Sequence, residues 1–305
     1  MQAVSDTVNI VEVGPGNGLK SEPNTLAIND KITLIEKLLD AGLDLIEVGN
    51  FTSPEKIPQP ADTDNLFTKL SKKRAFAYSA TVTNEQDMQR ALLADVKTIS
   101  VFSAASDTFT QKHIGCSIDE SLEQLKLVFE AARENDIDVR GYLSCVFGCP
   151  YEGQVKMADT IRVAEKLFNA GCYEISLIDT VGVGTPDQAQ TLILHAGGVV
   201  PIDKIAVQFH DTRGQALANI LASLEMGIST IDASIAGLGG QSDPENASGN
   251  IATEDVVYML HGLGIESGVD LEKIIDVGRW VSEKLKRENK SRVGLVGVPD
   301  WILDR

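Results

Sequence analysis

A parallel (β/α)8 barrel with one additional C-terminal helix is the fold class this sequence predicts, and three observations carry it. Eight short apolar runs alternate with eight longer helical patterns, within the ~250 residues such a barrel typically needs. The runs show little polar alternation, as strands buried on both faces should. No composition shift and no Pro/Ser-rich linker divides the chain, so residues 1–305 read as a single barrel domain, with a C-terminal helix and tail from about residue 270.

The strand runs are 8–13, 45–48, 75–80, 98–102, 138–144, 174–177, 205–209 and 230–235. The first helical pattern spans 30–41, with Asp30 as N-cap and Gly42 just past its end. Helical spacing returns at 62–70, 85–93 and 117–135, the last closing at Asn135. The pattern at 156–170 stops at Gly171, and that at 186–195 opens on Pro186, which is tolerated at a first helical position. The patterns at 214–226 and 253–263 end around Gly227 and Gly262. A ninth pattern, 271–288, is the additional helix, and Trp301-Ile302-Leu303 in the polar tail is expected to pack back onto the domain.

The formal charge of −17 excludes nucleic acid as a non-specific partner, since no global positive field attracts phosphate. It leaves room for an anionic ligand held by a local patch. No apolar stretch reaches the ~20 residues of a membrane span, so no membrane partner is expected. The first residues show no secretory signal. Four cysteines are too few for a disulfide scaffold, and Cys145-Val-Phe-Gly-Cys149 is weak evidence for a metal or redox pair. Free thiols, and hence the cytoplasm, are the expectation.

Chemistry in such a barrel sits at the C-terminal ends of the strands. Gly16 and Asn17 follow the first run, and Glu47 and Asn50 the second. Ser103 follows the fourth, Ser144 the fifth, and Asp179 with Thr180 the sixth. Gln208, His210 and Asp211 end the seventh, and Asn250 closes the glycine-rich loop after the eighth. Gln208 and His210 alternate across a strand end and so share a face. Glu12 and Glu47 end apolar runs, where an ionised group needs a partner or a polar cavity. Gly14, Gly16 and Gly18 lack dinucleotide-fingerprint spacing and read as a tight loop over a ligand. This polar convergence predicts a small-molecule site.

The chain resembles the 3-hydroxy-3-methylglutaryl-CoA lyase family, metal-dependent aldol-type lyases and synthases on a TIM barrel. The segments that carry the likeness include Val11-Glu12-Val13-Gly14-Pro15, Phe102-Ser103-Ala104-Ala105-Ser106, Gly148-Cys149-Pro150-Tyr151-Glu152-Gly153, His210-Asp211-Thr212, Ala236-Gly237-Leu238-Gly239-Gly240 and Ala247-Ser248-Gly249-Asn250. The resemblance implies a divalent cation, Mg²⁺ or Mn²⁺, held by an aspartate, two histidines and an asparagine. At those positions stand Asn17, Gln208, His210 and Asn250, a weak or lost metal site. It also implies an arginine that polarises the thioester carbonyl, where this chain has Gly16, and a proton-transferring cysteine, where it has Gln241. Glu47 and Asp179 match the family's acidic residues. The implied catalytic set is therefore Glu47, Asp179 and His210, with Ser103, Lys112 and Asn250 toward a CoA thioester, which enters as substrate or ligand. The family likeness also implies a homodimer.

Three functions stay open. One is a divergent lyase cleaving a carbon–carbon bond in a 3-hydroxy-3-carboxyalkyl-CoA or a related aldol-type substrate, below the family's standard rate. The second is a catalytically inactive ligand-binding or partner protein. The third is a metal-independent acid–base enzyme acting on an altered substrate.

Overall fold

The computed structural model describes residues 5–52, 62–239 and 249–299. Gln241 and the Trp301-Ile302-Leu303 segment lie outside these residues. Eight parallel strands close on themselves: β1 (Asn9–Glu12), β2 (Leu45–Asn50), β3 (Tyr78–Thr81), β4 (Thr98–Ala104), β5 (Asp138–Ser144), β6 (Glu174–Asp179), β7 (Ile205–Phe209) and β8 (Thr230–Ala233). Each pairs with its neighbours in sequence, and β8 returns to β1 with Asn9 opposite Thr230. The predicted TIM barrel is the observed fold. Its core runs between strands and outer helices, where Leu34, Leu38, Ile99, Leu167, Leu177 and Ile220 are fully buried.

Several boundaries differ from the sequence expectation, each for a local reason. The first helix begins at Ile28 with Ala27 as its cap, so Asp30 lies within the first turn and pairs with Lys284 at 2.7 Å. The third strand starts at Tyr78, because residues Lys72–Ala77 form 3-10 turns. The added helix spans Leu271–Leu285 and ends where Lys286 turns left-handed at φ +52°. Gly42, Gly171 and Gly227 do follow helices with positive φ, the backbone region glycine enters without a Cβ penalty. A helix at Asp107–His113 and a two-stranded ribbon pairing Gly148–Cys149 with Gly153–Gln154 were not expected. Among the described residues no helix is long and apolar enough to cross a membrane.

The barrel interior is not wholly apolar. Arg140 on β5, fully buried, donates to both carboxylate oxygens of Asp232 on β8 at 2.7 and 2.8 Å and to Glu174 on β6 at 2.6 Å. Ser176 donates to the same Asp232 at 2.8 Å. The two acids raise the Arg140 pKa despite burial, so the guanidinium is permanently charged. Removing it strands two carboxylates out of water. Arg140→Met is expected to cost about 3–5 kcal/mol in urea unfolding. A loss below ~1 kcal/mol would show that the triad does not anchor the barrel.

Candidate active site at the barrel mouth

At the C-terminal ends of the strands lies a cavity of about 810 Å³. Strand periodicity decides what faces it. Tyr142 and Ser144 from β5, Ile178 and Thr180 around the end of β6, and Gln208 and His210 around the end of β7 line it, each pair two residues apart. Glu47 and Asn50 on β2 break that spacing and still both face in. The β2–β3 register shifts between Glu47 and Gly49, a bulge that re-aims the strand end.

The same alternation excludes other candidates. Phe102 lines the cavity and Ser103 does not; Ser103 is buried with its hydroxyl unpaired. Asp179, between Ile178 and Thr180, also stands outside the wall. Its carboxylate instead accepts from the backbone N–H groups of Gly184 at 2.8 Å and Val183 at 3.2 Å, which orders the loop after β6. Lys112 lies off the cavity with its ammonium 3.7 Å from the centre of the Tyr151 ring. The structure thus gathers Gly16, Asn17, Glu47, Gln208, His210 and Asn250, and leaves Asp179, Ser103 and Lys112 outside.

The loop after β1 is a π-helical turn over Gly14–Gly18 followed directly by a 3-10 turn over Leu19–Ser21. Glu12 anchors it, accepting from the N–H of Gly14 at 2.7 Å, the N–H of Ile235 at 2.9 Å and the hydroxyl of Thr253 at 2.6 Å. Gly16 is pressed against Glu47. A Cβ at position 16 would fall 2.6 Å from Glu47 Oε1 and 2.9 Å from its carbonyl oxygen. No larger residue fits without moving β2 or its side chain.

Burial dominates the electrostatics of the wall. It raises the Glu47 pKa from 4.5 to about 7, with Asp232 adding to the rise and Tyr142, Thr81 and Arg140 opposing it. Glu47 therefore exchanges a proton near neutrality, where general acid–base work is most effective. Burial lowers His210 to about 4, so its imidazole is neutral, and Nδ1 has no partner in hydrogen-bonding geometry. The amides bond to one another: Gln208 Nε2 donates to Asn250 Oδ1 at 2.8 Å, and Asn250 Nδ2 donates to Leu238 O at 3.1 Å and to Asn17 Oδ1 at 3.3 Å.

This donor set does not fit a hard divalent cation. Asn17, Gln208 and Asn250 are neutral amides, His210 is one imidazole, and the Asn250 side-chain oxygen already accepts from Gln208. Among the described residues no group of three His, Cys, Asp or Glu side chains is placed to hold a metal.

Sequence reasoning passed over Lys20, Thr81, Tyr142 and the aromatic arm that Phe109 and His113 form beside Phe102, all of which line the cavity. Tyr142 was accessible from alternation, being two residues before Ser144 on β5. The arm depends on the unexpected helix Asp107–His113, whose signal was the cap at Ser106, a hydroxyl accepting from Phe109 N at 3.0 Å.

A polar cavity at the C-terminal mouth of a parallel barrel, with a titratable carboxyl and an imidazole in its wall, defines a (β/α)8 protein built for small-molecule chemistry. The chain belongs to the HMGL-like family, whose model matches residues 7–281. It is 47% identical over 291 residues to the mitochondrial hydroxymethylglutaryl-CoA lyase of Gallus gallus, covering 95% of this chain and 98% of that one. It is 46% identical over 285 residues to the 3-hydroxy-3-isohexenylglutaryl-CoA/hydroxymethylglutaryl-CoA lyase of Pseudomonas aeruginosa, covering 93% and 95%. An HMG-CoA lyase from Acinetobacter baumannii in complex with coenzyme A and 3-methylmalate superposes with a TM-score of 0.93 at 30% identity, covering 98% of each chain. The Gallus gallus relative and further vertebrate relatives are designated mitochondrial, which corrects the cytoplasmic expectation. That expectation leaned on the four cysteines, which are free and buried and do not single out one compartment.

The raised Glu47 pKa makes a signed prediction. The folded chain holds this proton more tightly than the unfolded chain, so stability is fully present below about pH 4.5 and declines as pH rises through about 7. Glu47→Gln removes that decline. Relative to wild type, the variant is expected to gain up to roughly 3 kcal/mol between about pH 5 and about pH 8 in urea unfolding. A pH-independent difference between the two proteins would refute it.

Proposed function

We propose that this protein is a carbon–carbon lyase of the HMG-CoA lyase type, acting on a 3-hydroxy-3-carboxyalkyl-CoA through a mouth that has lost the family's metal chemistry. The supporting observation is the set of amide bonds linking Gln208, Asn250 and Asn17, the residues that stand where the family likeness implies metal ligands. Family membership and the coenzyme A complex of the Acinetobacter baumannii relative support the ligand class.

In the cleavage, the 3-hydroxyl loses its proton as the C2–C3 bond breaks, releasing a ketone and an acyl-CoA enolate that is then protonated at C2. Glu47 is assigned the proton transfer: as carboxylate it accepts the hydroxyl proton, and as acid it returns one to the enolate carbon. Both forms are populated near its pKa of about 7. Neutral His210 orients the hydroxyl. Asp179 is a positioning residue, acting through the loop it ties to Gly184 and Val183. With Gly16 in the carbonyl-polarising position, no charged donor from that residue meets the developing enolate. Loss of one such donor commonly slows turnover about 10²–10³-fold.

The amide bonds also favour a second reading, a binding protein that holds an acyl-CoA without turning it over. Incubation with 3-hydroxy-3-methylglutaryl-CoA, with chromatography of acetyl-CoA and acetoacetate, separates the two. Slow product formation is expected, at least about 10²-fold below the Pseudomonas aeruginosa relative assayed alongside and unchanged by a chelator. A rate equal to that relative's would overturn the altered-site reading, and binding with no product would establish the second.

Restoring charge at the first loop is expected to fail. Gly16→Arg combined with Asn17→Asp leaves Gln208 in place and forces a side chain into Glu47. Calorimetric titration of the double variant should show no tight Mg²⁺ or Mn²⁺ site. Tight binding would show that the loop and Gln208 accommodate a metal after all.

A further inference from the structure

We propose that Lys20 is the anion-binding group of this mouth, seating the acyl carboxylate of the substrate with its ammonium. This rests on the acyl-CoA reading above. Lys20 lies in the 3-10 turn that continues the Gly14–Gly18 turn without a break, four residues beyond Gly16, and both line the cavity. The small Gly16 lets the turn settle on Glu47, and Lys20 supplies the cation one turn later.

The charges around the cavity single it out. Its lining contains two lysines, Lys20 and Lys290, and two acids, Glu22 and Glu47. Glu22 is bound by Arg287 at 2.7 Å and accepts from Gly239 N at 3.1 Å, so its charge is already answered. Lys20 makes no ion pair or hydrogen bond among the described residues; burial lowers its pKa, and the charge of Glu47 opposes that fall. Burial raises the Glu47 pKa to about 7, which weakens its hold on the ammonium as pH falls below neutrality. Burial first, and then the charges of Lys20 and Lys112, lower the His113 pKa and favour its neutral form. What remains is a cation in a confined polar pocket with no anion assigned to it. An ionised substrate carboxylate supplies one, and the ammonium is a point donor that adapts to its geometry.

Lys20 is exposed toward the cavity, so substitution leaves the core untouched. Calorimetric titration of wild type, Lys20→Met and Lys20→Arg with 3-hydroxy-3-methylglutaryl-CoA and with coenzyme A alone tests the assignment. Wild type should bind the acyl thioester more tightly than coenzyme A. Lys20→Met should lose about ten- to a hundredfold of affinity for the thioester only, the range of a single charge-assisted contact, and Lys20→Arg should keep most of it. Unchanged coenzyme A binding doubles as the check that the variants are folded. Equal losses for both ligands would place Lys20 on a coenzyme A phosphate and overturn the proposal. A thioester preference that survives in Lys20→Met, or is absent from wild type, would overturn it as well. Failure of wild type to bind either ligand would instead remove the acyl-CoA reading on which it stands.

Discussion

The interior of this barrel is organised around one guanidinium. Arg140 reaches across from β5 to the carboxylates of Asp232 on β8 and Glu174 on β6, so three strands that are not all neighbours share one charged centre. Such an arrangement is costly to desolvate and adds little net stability over an apolar core. What it provides is registry, since no other sliding of the strands satisfies all three groups. The effect extends upward to the mouth. Tyr142 lies over the same guanidinium, 5.3 Å from its ring centre, and meets Glu47 on the cavity wall. The proton affinity of Glu47 thus depends on burial first, and then on charges set by the triad beneath it.

Above that floor, two buried carboxylates frame the loops. Glu12 ties the glycine turn to Ile235 and Thr253, and Glu254 accepts from Ala236 N at 2.9 Å at the start of the loop after β8. Burial pushes their pKa values to about 7 and about 8. Both therefore work against chain stability at neutral pH, yet each holds backbone N–H groups in place. The loops of the mouth are held by these groups, while the side chains facing the ligand differ in charge from the pattern the family likeness implies.

The barrel was legible because its signals are periodic: apolar runs at regular intervals, helices closed by glycine, no linker. Boundaries were less so where local turns compete, as at Lys72–Ala77, whose 3-10 turns take the first residues of the predicted run 75–80. Site residues at strand ends were found by position, but position alone does not give direction. Asp179 and Ser103 sit at the correct height on the correct strands and face away, one residue out of phase with Ile178, Thr180 and Phe102. Counting alternation from a neighbour such as His210 would have sorted them. The bulge on β2 would have defeated the same count for Asn50. Lys20 was hidden for another reason, since its place in the wall follows from a π-turn running into a 3-10 turn, which no propensity scale announces.

A divalent metal and an ammonium solve different problems at such a mouth. A metal gathers several oxygens at once and demands anionic ligands around it, which the Asn17, Gln208 and Asn250 amides do not provide. An ammonium needs no ligand cage; it needs one anion and limited water. The close fit of Gly16 on Glu47 serves the second arrangement, because it brings the turn down onto the carboxyl and carries Lys20 to the rim with it. A side chain at position 16 would disturb the packing of this turn on Glu47.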